Sequence, residues 1–266
     1  MRPAAKVKAS YGLMLFIVAA VIFRMAEVVI HHQGEIHSHI WRIPILLFDL
    51  LLGYTLIRIL WSAARQGYGM RSGLRLFRAH EDALLSKQFQ EKYRNWNTEI
   101  IVVREDAFVG LTIGLRRPRI VLSTGVLERF TEEEVEAILL HERHHCQSRD
   151  NLKLFLSTLL ADAFGYLPII KPVLAYAKTW RELFADRYAI EQMGTSLHLG
   201  SVLWKMIQLG VIRQRRAVLH FMETAIDYRM MQIIEPDEVV KVPLRLYRPL
   251  LVTCCFLLLM MLGGSS

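Results

Sequence analysis

Cysteine is scarce in this chain: three residues in 266, two of them adjacent at Cys254 and Cys255. That set can build neither a disulfide framework nor a CxxC zinc ribbon, so a reducing interior is expected for the polar part of the protein. No small-residue cleavage site follows the first apolar run, "LMLFIVAAVIFRMAEVVI" at 13–30, which excludes a removable signal peptide. No internal repeat or low-complexity linker interrupts the sequence. Acids are outnumbered, 25 Asp and Glu against 33 Lys and Arg, for a net charge of +8. A basic surplus points either to nucleic acid or to the flanks of membrane helices, and its position decides between them.

The positions favour the membrane. Hydrophobic residues make up 53% of the chain and the mean hydropathy is +0.27 despite 22% charged residues. Residues 13–30 and 43–61 are each long enough to span a bilayer, and the loop between them, "HHQGEIHSHI", has no Lys or Arg. The basic residues gather in the N-terminal "MRPAAKVK" and at Arg65, Arg71, Arg75 and Arg78 after the second run. The positive-inside rule then places the N-terminus and the segment after 61 in the cytoplasm. A last apolar run, "LLVTCCFLLLMMLGGSS", follows Lys241, Arg245 and Arg248 and is expected to cross outward. The basic excess is therefore juxtamembrane, and no nucleic-acid partner is expected. Arg24 and Asp49 lie at similar depths and are expected to pair across the hairpin; the alternative is Arg24 with Glu27 on its own helix.

The polar middle reads as α/β. "EDALLSKQFQEKY" has helical spacing, and "TEIIVVRED" and "AFVGLTIGL" read as two strands joined by a tight turn. "RPRIVLSTGVL" reads as a third strand entering a short helix. Thr131 and Glu134 form a capping box at the start of "TEEEVEAILLHERHHC", whose first turn is acidic as the helix dipole prefers.

That helix carries the chemistry. His141 and His145 are one turn apart, so both imidazoles leave one face and can share an ion. Glu142, one step round, can reach a reacting water without ligating the metal, which is the HExxH arrangement of zinc hydrolases. Downstream, "TWRELFADRYAIEQ" offers Glu182 as a third ligand, with Asp186 a turn later to accept the spare ring proton of a ligating histidine. Asp150 is a second candidate for that supporting role. The run 152–177 is apolar enough to suggest a crossing, but a single crossing would separate Glu182 from His141. It is expected instead to fold back as a membrane-associated hairpin, broken around Asp162, Gly165 and Pro168.

"HERHH", then "RD", then "RELFAD" resemble the integral-membrane zinc peptidases of the gluzincin class. The BlaR/MecR-type antirepressor peptidases are the nearest likeness, over roughly residues 100–190. HtpX-like and CAAX-prenyl-protease-like families share the same HExxH and ExxxD logic. The resemblance implies one Zn2+ per chain on His141, His145 and Glu182, with Glu142 as general base. It implies a protein substrate, such as a winged-helix repressor or a membrane protein, and a multi-pass bacterial cell-membrane location with the catalytic domain cytoplasmic. The β-lactam sensors of that family carry a penicillin-binding domain after the last membrane run; here only "GGSS" follows, so antibiotic sensing is not expected. His220 and Arg229, in "RAVLHFMETAIDYRMMQII", are the candidates for an oxyanion donor. "AFVGLTIGL" could align an extended substrate by edge pairing.

The fold expected is thus an α+β membrane protein: an N-terminal transmembrane hairpin (1–61), a mainly helical peptidase domain with a small sheet (62–242), and a C-terminal membrane segment (243–266). His144 lies on a different face from the ligand pair and reads as a surface residue or one that supports a ligand, while Cys146 points away from His141 and reads as a packing residue. His31, His32, His37 and His39 read as an exposed polar loop. The rival function is a non-catalytic membrane signalling or scaffold protein whose zinc is structural or absent.

Overall fold

The computed structural model describes residues 3–31, 42–210, 222–235, 238 and 240–262. Two long helices come first, α1 (Pro3–His31) and α2 (Arg42–Ala79). Helix α3 (Ala83–Lys92) leads into strands β1 (Glu99–Val103), β2 (Gly110–Ile113) and β3 (Arg119–Ser123). Then follow α4 (Thr124–Arg129), α5 (Glu132–Gln147), α6 (Asp150–Ala163), α7 (Ile170–Met193), α8 (Leu197–Gln208), α9 (Met222–Ile234) and α10 (Tyr247–Leu262). A mainly helical α+β fold with one small sheet is what the sequence predicts.

The chain divides into two units. The first draws on Met1–Arg65, Ser157–Ala177 and Pro243–Ser266. Its core is a seam of Met14, Ile17, Val18 and Val21 from α1 against Phe164, Leu167, Ile169, Ile170 and Val173. Leu250, Phe256 and Leu257 of α10 are half-buried against it. The apolar run breaks around the residues that the sequence marks for it: α6 stops at Ala163, residues 164–169 turn, and α7 begins at Ile170. Asp162 anchors the turn, accepting from Ser62 Oγ at 2.5 Å and from Arg65 at 3.2 Å. The opposite face of α1 presents Leu15, Phe16, Ile22 and Phe23 outward, Phe16 being 72% exposed. Of the described residues, one stretch, Pro3–Arg24, is long and apolar enough to cross a membrane; Tyr247–Leu258 is a shorter apolar helix. The second expected span, 43–61, falls at the start of α2, where several side chains lie outside the described residues. Arg24 pairs with Glu27 on its own helix, and Asp49 is exposed, so the local pair forms rather than the interhelical one.

The second unit, Gln66–Leu156 with Lys178–Val242, holds the sheet. Its strand order is β1-β3-β2. The tight β1–β2 hairpin expected from the sequence does not form: β3 lies between them, parallel to β1 and antiparallel to β2. Two features account for this. The outer edge of β1 is already taken, because Asp82 N–H donates to Val102 O (2.8 Å) and Arg104 N–H to His80 O (2.9 Å). And β3 carries Ile120, Val121 and Leu122, all fully buried, which suits the central position. The loop between β1 and β2 closes over α4: Gly125 N–H donates to Glu105 O at 2.9 Å, and a Cβ at Gly125 would run into the Asp106 carbonyl. Helix α5 lies on this sheet, burying Val135, Ile138 and Leu139 with Ile120 and Leu122. Its capping box is present in both directions, Thr131 N–H to Glu134 Oε2 (2.8 Å) and Glu134 N–H to Thr131 Oγ1 (3.3 Å).

Candidate metal centre

The buried face of α5 fixes the site. Leu139 and Leu140 hold the helix in the core, and the same register turns His141, Glu142 and His145 inward, all under 10% exposed. The two imidazoles approach through Nε2 at 3.1 Å. Glu182 Oε2, from α7, lies 3.5 Å from the first and 3.9 Å from the second. A circle through these three atoms has a radius of about 2.0 Å, which is the length of a Zn–N or Zn–O bond, about 2.0–2.2 Å.

The outer nitrogens explain why the arrangement calls for a cation. Asp150 Oδ2 lies 2.8 Å from His145 Nδ1, and Asp186 Oδ1 lies 2.8 Å from His141 Nδ1. The carboxylate hydrogen-bonded to His145 Nδ1 selects the tautomer with its proton there, and Asp186 sets its charge beside His141 Nδ1. Both Nε2 atoms face each other and a third group, Glu182. Once His141 gives up the proton that its raised pKa favours, three ligand atoms converge on one point, so the donor set fits Zn2+ with an open position, two histidines and one carboxylate.

Each supporting carboxylate is itself held. Lys153 Nζ donates to Asp150 Oδ1 at 3.0 Å. Arg229, from α9, forks onto Asp186 through Nε (2.6 Å) and an Nη (2.8 Å), and its other Nη lies 3.7 Å from Glu182 Oε2. Arg181 donates to Glu182 Oε1 at 2.9 and 3.2 Å. The sequence reading thus has Asp150, Asp186 and Glu182 where the structure brings them together. Arg229 reaches the site but spends its fork on Asp186. His220 lies outside the described residues.

The profile of the BlaR1 peptidase M56 family matches residues 31–233. The chain belongs to that family. It is also 31% identical over 111 residues to the "Regulatory protein BlaR1" of Bacillus licheniformis, an alignment covering 41% of this chain and 18% of that relative. The match therefore spans less than a fifth of the relative's length.

Electrostatics in this M56 chain follow from the pairing. Burial works against the charged form of His141, but Asp186 and Glu182 outweigh it and lift its pKa to about 9. Burial likewise works to raise Glu182, Asp186 and Asp150, and is overcome by the neighbouring histidines and cations, so all three stay below the ordinary carboxylate range. His144 is lowered by burial; its ring packs on Tyr188 at 5.5 Å and lies edge-on to His145 at 6.2 Å, beside Asp150 rather than remote from the ligand pair. Burial pushes the Cys146 thiol up to about 12, which leaves it a protonated packing residue.

Thr112 of β2, which the sequence reading did not single out, completes the site. Its hydroxyl lies 2.8 Å from Glu142 Oε2, so the carboxylate is held against the sheet. A threonine in a strand carries no sequence signal for such a role, and neither do Arg181 and Lys153. Beside Glu142 opens a cavity of about 70 Å³, large enough to admit water. It is lined by Phe108, Gly110, Ile138, Leu203 and Met206, with Arg229 at its polar side.

Proposed function

We propose that this chain is a membrane-embedded zinc-dependent endopeptidase that hydrolyses a regulatory or membrane-associated protein on the cytoplasmic side, in the manner of an antirepressor signalling protease. The observation that carries the reading is the convergence of His141 Nε2, His145 Nε2 and Glu182 Oε2 beside the Glu142 carboxylate. Zn2+ held by those three would polarise a carbonyl and lower the pKa of water to about 7.

The remaining work belongs to the chain. Glu142 is the proton carrier: Thr112 occupies Oε2, so Oε1 is the atom left to take a proton from water and return it to the leaving amine. Asp150 keeps the His145 Nδ1 protonated and its ring plane fixed, and Asp186 sets its negative charge beside His141 Nδ1. The Arg229 Nη that does not fork onto Asp186 is the candidate oxyanion donor. Strand β2 is an edge, paired only to β3 among the described residues, and can align an extended polypeptide. The apolar lining excludes bulk water from the reacting groups. The outward apolar face of α1 favours a bilayer as the other partner, and the arginines at 65, 71, 75 and 78 favour a cytoplasmic catalytic side.

The test is metal content of the detergent-purified chain together with cleavage of β-casein as a flexible probe. One zinc per chain is expected, lost in His141→Ala and Glu182→Ala and kept in Glu142→Gln, with Glu142→Gln slowing cleavage by about 10²–10⁴-fold. Zinc absent from well-folded wild type, or full activity in Glu142→Gln, would overturn the reading in favour of the non-catalytic scaffold.

A further inference from the structure

The free edge of β2 is not uniformly free. Ser123 N–H donates to Val109 O and Val109 N–H donates to Ser123 Oγ, so Val109 turns its main chain toward β3. By antiparallel alternation Leu111 also turns its main chain toward β3, while Gly110 and Thr112 turn theirs outward, toward any added strand. Among the described residues nothing bonds the outward groups of Gly110, which is buried and is reached through the cavity that it lines beside Glu142. The outward carbonyl of Thr112 is different. Asn151, in the first turn of α6, donates Nδ2 to Thr112 O at 2.9 Å and to Gly114 O at 3.3 Å. Two carbonyl acceptors leave no choice of amide orientation, because only the nitrogen can face them.

We infer that Asn151 determines how far a substrate can pair along this edge: its carboxamide caps the strand at Thr112 and ends the substrate's main-chain ladder there. The inference rests on the peptidase reading and adds a specificity residue to it. A polypeptide lying on β2 finds the Gly110 N–H, the Gly110 carbonyl and the Thr112 N–H. It does not find the Thr112 carbonyl, where Asn151 already supplies the N–H that the next substrate residue would have offered. The reach of the ladder is therefore set on the Gly110 side, over the cavity, and closed on the other. Asn151 follows Asp150, which holds His145, so the stop is fixed at one register relative to the ligand pair. The same Thr112 carries both constraints, its carbonyl on Asn151 and its hydroxyl on Glu142. The preferred substrate is accordingly an extended segment whose binding depends on main-chain contacts on one side of the cut bond.

The test uses the full-length chain in detergent and synthetic peptides built around the bond most readily cut in β-casein, lengthened one residue at a time at each end. In wild type, KM is expected to stop falling with length at the end that meets Asn151. In Asn151→Ala the freed carbonyl accepts one more N–H, and the next residue at that end is expected to lower KM about 3- to 10-fold while kcat changes little. Asn151→Asp, isosteric but with no N–H to donate, is expected to do the same. Identical length profiles in all three proteins, with zinc content intact, would overturn the inference and leave the peptidase reading standing. Loss of zinc and of the folded state in both variants would make Asn151 a purely structural clamp and overturn it equally. No cleavage by wild type would remove the peptidase reading, and this one with it.

Discussion

Arg229→Met is the perturbation that most directly interrogates the buried charge network. The side chain keeps its length and apolar stem but loses the fork that holds Asp186 at 2.6 and 2.8 Å. Asp186 is fully buried, and once the guanidinium is gone its remaining charged neighbour in the site is His141, 2.8 Å away. Removing one member of a buried ion pair leaves the other uncompensated, at a cost of about 3–5 kcal/mol. For a domain of this size that corresponds to a fall in Tm on the order of 10 °C. The same loss reaches the ligand. With Asp186 no longer neutralised by Arg229, its charge falls on His141, which then holds a proton on Nε2 more firmly, and the metal must displace it.

The assay is thermal unfolding in detergent, once with a chelator and once with excess Zn2+, followed by zinc titration at two pH values. Wild type and Arg229→Met should differ in both conditions. The variant's zinc affinity should fall by about 10–100-fold, the usual effect of disturbing a residue behind a ligand, and should recover as pH rises and His141 loses its competing proton. Arg229→Lys, which restores charge but cannot fork, should fall between the two. A Tm within about 1 °C of wild type in chelator, joined to unchanged zinc affinity, would refute the reasoning, since a charged Asp186 could not lose its partner so cheaply.

Two further outcomes are expected. Thr112→Val removes the hydroxyl that holds Glu142 Oε2 and should lower kcat about 10-fold or more with zinc content and KM little changed; an unchanged kcat would mean that Glu142 is oriented by something else. Glu134 is buried, which works to raise its pKa, yet Lys205, Ser201 and the Thr131 N–H hold it below the ordinary glutamate value of 4.5. A folded pKa below the unfolded one gives stability that is present above about pH 4.5 and lost as pH falls through the lower, folded value. Glu134→Gln should therefore lower stability at pH 7 and flatten its decline between pH 5 and 3 in denaturant titrations, and a decline of unchanged slope would count against the assignment.

What could be read in advance followed from periodicity and spacing. His141, Glu142 and His145 occupy one buried face because an α-helix returns every 3.6 residues, and the Thr131 capping box fixes where that helix begins. Glu182 and Asp186 follow the same rule on α7. The strand order was not legible, because local pattern reports that β1 and β2 are strands but not which edges remain available. That was settled by contacts from residues 80 and 82, far from any strand signal. Arg24 chose Glu27 over Asp49 for a related reason: a partner one turn away costs no tertiary alignment.

The residues that sequence reasoning missed are of two kinds. Thr112 and Asn151 each act through a single polar atom delivered by tertiary packing and belong to no periodic pattern, whereas Arg181 and Lys153 hold carboxylates one and three residues away on their own helices. A metal-ligating histidine announces itself because its partner must lie at a fixed helical offset. A residue that orients a ligand or caps a strand is free to come from anywhere within reach, and Thr112 is 30 residues from the glutamate it holds. The ligands of this site could therefore be named from the chain, whereas the groups that set its geometry and its substrate register required the fold.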